Sequence, residues 1–323
     1  MRPLSPDPRQ APRGWERFAK PRAPEDLPVR LHRKRLYIMP SGFGVGLALF
    51  LIATVMSAIN NSNNHALLFA VGAGAMLAVA LIQTHHRLAN IRVLSIHAFP
   101  AHEGDEIVVR TTLDHRGKKV REGLRLAIGS QEVAFDLQPG EPHSVDLRLP
   151  GLPRGIHPMA RIRVSTARPI NIALAWSWIW PKNHFLIYPK LETPAPPAPS
   201  RGMEAESTRA ARQGEQVHHL RDWRVGDAMR VIAWKATARQ GKLMSREYEA
   251  REGGMQQLDW EEVAHLPTEQ ALSRLATWVV SADEQGLRTD LTLPGVHVGP
   301  GQGLSHRHAC LTALAQVKTD VAV

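Results

Sequence analysis

The densest chemistry in the chain lies from Gly214 to Glu249, GEQVHHLRDWRVGDAMRVIAWKATARQGKLMSREYE. Between Arg209 and Arg251, ten Lys and Arg stand against five acids, with Trp223, Trp234 and Tyr248 interleaved. A planar guanidinium stacks on an indole and grips a carboxylate through two parallel hydrogen bonds. Arg221 beside Asp222 and Arg246 beside Glu247 offer such pairs. Asp227 and Arg230 stand three apart, one turn of helix. Arg224-Val225-Gly226-Asp227 reads as a turn, with Gly226 supplying backbone freedom. The pattern suits an Arg/Asp/Trp network that locks a fold or presents a binding face.

Rival constellations are thinner. His218 and His219 are adjacent, so on a strand they point to opposite faces and do not chelate together. Cys310 is the single cysteine, which excludes an internal disulfide and a multi-cysteine zinc site and fits a reducing compartment. As a nucleophile it would need an oriented base, and His306 and His308 are the nearby candidates. Gly295 to Gly303, GVHVGPGQG, has no Gly-Lys-Ser/Thr after it and is expected to be a flexible loop, not a phosphate loop.

The spaced set Gly214-Glu215, Leu220-Arg221, Gly226-Asp227, Arg230, Ile232, Trp234-Lys235, Ala238-Arg239 and Arg246-Glu247 resembles the signature of domain-of-unknown-function family 58, approximately GxEFxxLRxYxxGDDxRxIDWxxxAR. The chain departs from that pattern at Trp223, where Tyr is usual, and at Ala228 and Ala233, which replace acids. Pro169-Ile170-Asn171-Ile172 stands where Pro-Phe-Gly-Leu is common. The resemblance implies two N-terminal transmembrane helices, a β-rich segment ending near a Tyr-Pro such as Tyr188-Pro189, and a C-terminal module similar to the von Willebrand factor type A fold. The matched residues Arg221, Gly226, Asp227, Arg230, Trp234, Lys235 and Arg239, together with Arg224 of the adjoining turn, are the expected interaction or fold-defining cluster. Type A modules often hold a metal through Asp-x-Ser-x-Ser at a strand end. Asp259 takes the matching position but is followed by Trp260, Glu261, Glu262 and Val263, without serines. A hard divalent cation needs several oxygen ligands. Asp259 is thus a weak metal candidate and by default a strand-end cap, and no cofactor is expected.

The elements that must position this segment begin with two apolar runs. Gly42 to Ile59 and Ala66 to Gln83 are each 18 residues without an acid or base. As helices they rise about 27 Å, close to a hydrocarbon core of roughly 30 Å. The short connector Asn60-Asn61-Ser62-Asn63-Asn64-His65 makes them a hairpin over residues 40–84. Gly42 with Gly46, and Ala70 with Gly74, are small-residue pairs suited to close helix approach. Arg30, Arg33, Lys34 and Arg35 precede the first run, and His85, His86, Arg87 and Arg92 follow the second. The connector has no Lys or Arg, so the positive-inside rule puts both termini in the cytoplasm. No cleaved signal peptide is expected.

Residues 1–39, with seven prolines and ten Lys and Arg against four acids, read as a disordered basic tail. Residues 85–191 show alternation at 145–149 and 162–164, β-branched runs at 107–113 and turn pairs such as Pro139-Gly140, which predicts an immunoglobulin-like β-sandwich. Trp176, Trp178 and Trp180 alternate and read as core or interface packing, with ligand stacking as the alternative. Residues 192–213 open with ETPAPPAPS, a proline-rich linker. Residues 214–323 then form the small α/β signature domain: strands at 254–259 and 288–293 and helices at 269–282 and 308–317 suggest a parallel layer.

The net charge of +10 suits anionic partners. The expected whole is a membrane-anchored multidomain protein of the bacterial inner (plasma) membrane. It acts as a non-enzymatic adaptor or scaffold that displays a cytoplasmic binding module. The resemblance implies partnership with a MoxR-type AAA+ ATPase, often together with a transglutaminase-like membrane protein. One alternative is a hydrolase-like enzyme using Asp227 with His218 or His219. Another is a basic nucleic-acid-binding module, which the interleaved acids oppose.

Overall fold

The computed structural model describes residues 23–199 and 254–317, with the backbone alone of two short strands between them, His219–Asp222 and Met244–Glu247. The chain divides into two compact units, Met1–Ile187 and Tyr188–Val323.

In the first unit, α1 spans Gly42–Asn60 and α2 spans Asn64–Leu88. Ser41 caps α1 by accepting the Gly44 amide, and Asn63 caps α2 by accepting the Ala66 amide. The Asn63 cap draws Asn64 and His65 into the helix, so the turn is shorter than the connector expected from sequence. At the other end α2 runs on to Leu88, four residues past the expected limit. His85, His86 and Arg87 fill its last turn, where cations oppose the negative end of the helix dipole. Both helices are long and apolar enough to cross a membrane, and only 17% and 11% of their most apolar windows are buried. Leu49, Phe50, Leu68 and Met76 are all exposed.

The paired small residues do not do what their spacing suggests. A Cβ added at Gly42, Gly46 or Gly74 would meet nothing within 4 Å. The glycine that matters is Gly44, where a Cβ would fall 2.0 Å from the Ile172 carbonyl oxygen. There α1 touches the loop before the strand Ala173–Ile179 rather than its partner helix.

The rest of this unit is mostly β-sheet. A four-stranded sheet has the order β1 (Val29–Arg30), β3 (Ile91–Ala98), β5 (Ile107–His115), β8 (His143–Leu149). A five-stranded sheet has the order β2 (Tyr37–Pro40), β11 (Ala173–Ile179), β10 (Ile162–Thr166), β6 (Arg121–Ile128), β7 (Gln131–Leu137). A small third sheet joins β4 (Ala101–His102), β12 (His184–Tyr188) and β9 (Gly155–Pro158). One apolar core unites the two large sheets: Val93, Val109 and Leu147 from the first, Leu126, Val164 and Ile179 from the second, with Leu31 and Leu88 packed among them. Alternation along β8 buries Val145, Leu147 and Leu149 and exposes Asp146 and Arg148. Arg92 grips Asp114 across β3 and β5, and Arg110 grips Asp146 across β5 and β8, both with two parallel hydrogen bonds.

The disordered tail expected over residues 1–39 is corrected for its second half; residues 1–22 lie outside the described residues. Val29 pairs with Val93 in β1, and Tyr37–Pro40 pairs with β11 as an edge strand. Leu31 is fully buried. Apolar residues thinly spread among Pro and Arg are ordered here because two sheet edges supply their backbone partners.

In the second unit, β15 (Met255–Asp259) runs parallel to β16 (Arg288–Leu293), and β17 (Val296–Gly301) returns antiparallel. A parallel pair needs a crossover, supplied by α3 (Thr268–Glu284). Its buried stripe, Leu272, Leu275, Ala276 and Val279, follows helical spacing. A last helix, α4 (Leu304–Gln316), buries Cys310, Leu311 and Leu314. The segment expected as a flexible loop from Gly295 to Gly303 is corrected: most of it is β17. Pro294-Gly295 makes the hairpin turn, with Gly295 at φ +78°, and Pro300 is tolerated because β17 is an edge strand. The proline-rich stretch is not a free spacer where it is described. Glu192 forms two hydrogen bonds with Arg274, and the Trp278 indole donates to the Pro196 carbonyl, both from α3.

Two tests follow from these contacts. Gly44→Ala should cost about 1–3 kcal/mol of stability by overpacking, read as a lower melting temperature in detergent, whereas Gly46→Ala should be neutral. His115 is buried; its Nε2–H donates to the Leu137 carbonyl, and its Nδ1 accepts the Gly117 amide. Burial first, and the Arg121 charge second, hold its pKa below 6.5. The unfolded chain therefore binds this proton more readily, so its stabilising share is full above pH 6.5 and lost as pH falls below it. His115→Gln should lower the melting temperature at pH 7.5, and the gap to wild type should narrow towards pH 5.

Candidate functional site

The residues expected to carry function divide into those the structure describes and those it does not. Arg224, Gly226, Asp227, Arg230, Trp234, Lys235 and Arg239 lie outside the described residues, as does His218. What is described is the pair of strands at the two ends of the segment. β13 (His219–Asp222) pairs antiparallel with β14 (Met244–Glu247), in the register Leu220 with Arg246 and Arg221 with Ser245. Asp222 pairs with Met244, so the chain leaves β13 and re-enters β14 at one end of this ladder. Two pieces of the motif more than 20 residues apart, Leu220-Arg221 and Arg246-Glu247, thereby become neighbours.

Asp259 sits at the carboxyl end of β15, where ligands collect in parallel sheets. Its carboxylate accepts the Glu261 amide at 3.0 Å and caps the short 3-10 turn Trp260–Glu262. Among the described residues no three His, Cys, Asp or Glu side chains converge where a metal ion could sit.

Cys310 and His306 lie one turn apart on α4, with Sγ 3.4 Å from Nε2. Of the two candidate bases, His306 is thus the one brought to the thiol, by helical adjacency. The same Nε2–H donates to the Thr289 carbonyl at 2.7 Å, so that nitrogen is not a free base. Burial, and then the charge of Asp290, push the thiol up to about 12. Nucleophilic attack needs the thiolate, and this environment suppresses it.

Tyr188, of the expected Tyr-Pro, is buried and hydrogen-bonded to His308 on α4. Two of the alternating tryptophans, Trp176 and Trp180, meet protein side chains. Trp176 stacks on Tyr37 with ring centroids 5.9 Å apart, and the Arg161 guanidinium lies 4.6 Å from the Trp180 ring centroid. A cleft of about 400 Å³ lies between α1 and α2 near their turn, lined by residues such as Phe50, Thr54, Ser57 and Asn61, and it carries no titratable side chain.

Sequence reasoning overlooked one cluster. Arg121 on β6 lies against the last turn of α2 and donates to the His86 carbonyl, close to Arg87. Arg87 was visible as a flanking charge, but only the docking of helix on sheet brings Arg121 to it.

No family model matches the chain, and no curated protein matches it.

The Cys310 environment is testable directly. In the folded protein at pH 8, Cys310 should resist alkylation by a small thiol reagent over hours, and unfolding in denaturant should make it react within minutes. Rapid labelling of the folded chain by mass spectrometry would return a catalytic cysteine to consideration.

Proposed function

We propose that this chain is a non-enzymatic adaptor, anchored in the bacterial inner membrane by a two-pass hairpin with both termini in the cytoplasm. The observation that carries the reading is the all-round apolar exposure of α1 and α2. Water would penalise that surface, and a bilayer removes the penalty. The topology rests on charge: cations flank both helix ends remote from the turn, and Asn61–Asn63 has none.

On this reading the β-rich region is an immunoglobulin-like spacer. The parallel β15–β16 pair with its crossover helix supports a von Willebrand factor type A-like module. The signature residues Arg221, Arg224, Asp227, Arg230, Trp234 and Arg239 form its interaction surface. The partner is a MoxR-type AAA+ ATPase, working with a transglutaminase-like membrane protein: the ATPase supplies work, and this chain supplies place and recognition. The buried, high-pKa thiol of Cys310 and the capping role of Asp259 argue against a cysteine nucleophile and a metal at those two places.

The test is copurification from native membranes in mild detergent, with Arg224→Ala/Asp227→Ala beside wild type and melting curves for both. An AAA+ ATPase should copurify with wild type and be lost from the folded variant. An ATPase retained by the variant would make the signature residues structural. Wild-type protein that washes off membranes in alkaline carbonate would sink the anchoring reading.

A further inference from the structure

We propose that the base of α2 carries a binding site for the phosphate of an anionic lipid headgroup, built by Arg87 and Arg121. The proposal rests on the membrane-anchored reading above and adds to it a specific lipid class at a specific place.

The first ground is a shortage of negative charge. Arg121 reaches from β6 to donate to the His86 carbonyl, which sets its guanidinium beside that of Arg87. Two cations held together in a partly desolvated position repel, and burial with the Arg87 charge pulls the Arg121 pKa down. The nearby acid, Glu122, is mostly exposed and forms only a long ion pair with Arg87, Oε2 to Nη1 3.8 Å, beyond hydrogen-bond reach. Arg87 Nη1 and Arg121 Nε are buried without a hydrogen-bond partner. An anion that draws the two guanidiniums outward satisfies both donors and relieves their repulsion.

The second ground is the surroundings. The exposed turn before Arg121 carries Arg116, Lys118 and Lys119. Arg168 lies on the other flank, its side chain against Gly123. Asp136 on β7 accepts the Gly123 amide at 2.7 Å, and Asp114 is held by Arg92.

The third ground is depth. The apolar run of α2 ends at Gln83, and Arg87 is four residues further, about 6 Å along the helix. The headgroup layer is roughly 5–8 Å thick on each side of the hydrocarbon core. The adjoining loop presents exposed Ile170, and its next-but-one residue Ile172 packs with Ala80 of α2. An apolar tip beside a cationic pair is the arrangement of a surface that meets acyl chain and phosphate together. This commits the ligand to a lipid and not to phosphate in solution.

The test uses the full chain in detergent, delipidated and then titrated with phosphatidylglycerol or phosphatidylcholine, with bound lipid counted by native mass spectrometry. Wild type should bind phosphatidylglycerol preferentially. Arg87→Gln/Arg121→Gln should weaken that binding about 30-fold, roughly fivefold for each cation. Removing two exposed cations elsewhere, Arg148→Gln/Lys182→Gln, should leave it unchanged. Should the Gln pair fail to fold, Arg87→Lys/Arg121→Lys keeps both charges and must retain binding within about fivefold. Equal binding of the two lipids, or preference retained in the folded Gln pair, overturns the proposal. Displacement of the lipid by millimolar inorganic phosphate overturns the lipid assignment. A chain that fails to enter lipid nanodiscs overturns the anchoring reading, and this with it; one that enters without lipid preference overturns this alone.

Discussion

The first turn of α1 is tied to the sheets of the first unit through one backbone node. The Ser41 hydroxyl donates to the Asn171 carbonyl, the Ser41 amide donates to the Ile172 carbonyl, and Gly44 lies against the same carbonyl with no room for a side chain. Ser41 also caps α1, so one residue ends a strand segment, starts a helix and ties both to the loop before β11. Such contacts are short and directional, which makes them poor hinges. The direction in which the apolar hairpin leaves the sheets is therefore set within the first turn of α1.

From that node follows the use of α2. Its last turns pack across the sheet, bury Thr84 and Leu88, and run into β3. A helix long enough to span a bilayer thus ends as part of a sandwich core, and its terminal cations meet cations on β6. On the membrane-anchored reading, the charge that would orient the hairpin and the charge that would meet lipid phosphate lie at the same helix end.

The second unit shows how tertiary context removes chemistry as readily as it creates it. Cys310, His306 and Asp290 look from their types like parts of a reactive set. Packing buries the thiol, commits His306 Nε2 to a backbone carbonyl and pairs Asp290 with His297. Asp259 is likewise occupied in capping a turn. On the adaptor reading proposed above, recognition falls to the Arg/Asp/Trp segment, most of which lies outside the described residues. The β13–β14 ladder pairs Leu220 with Arg246 and Arg221 with Ser245, so two distant parts of the motif are neighbours.

What the sequence determined by itself were the features with a local period. Two 18-residue uncharged runs announce two helices, alternation at 145–149 and 162–164 announces strands, and the Leu272, Leu275, Ala276, Val279 spacing announces α3. Tertiary structure alone decided the rest. Residues 29–40 became edge strands because neighbouring sheets offered free backbone groups, although prolines and arginines mask any period there. GVHVGPGQG became a strand because β16 was beside it, and ETPAPPAPS gained hydrogen bonds because α3 presented Arg274 and Trp278. Gly44, and not Gly42 or Gly46, is the position with no room for a side chain, because the crowding comes from a carbonyl 128 residues away. Periodicity is written in neighbours along the chain, whereas pairing, crowding and desolvation depend on residues distant in sequence, and those appear only when the chain has folded.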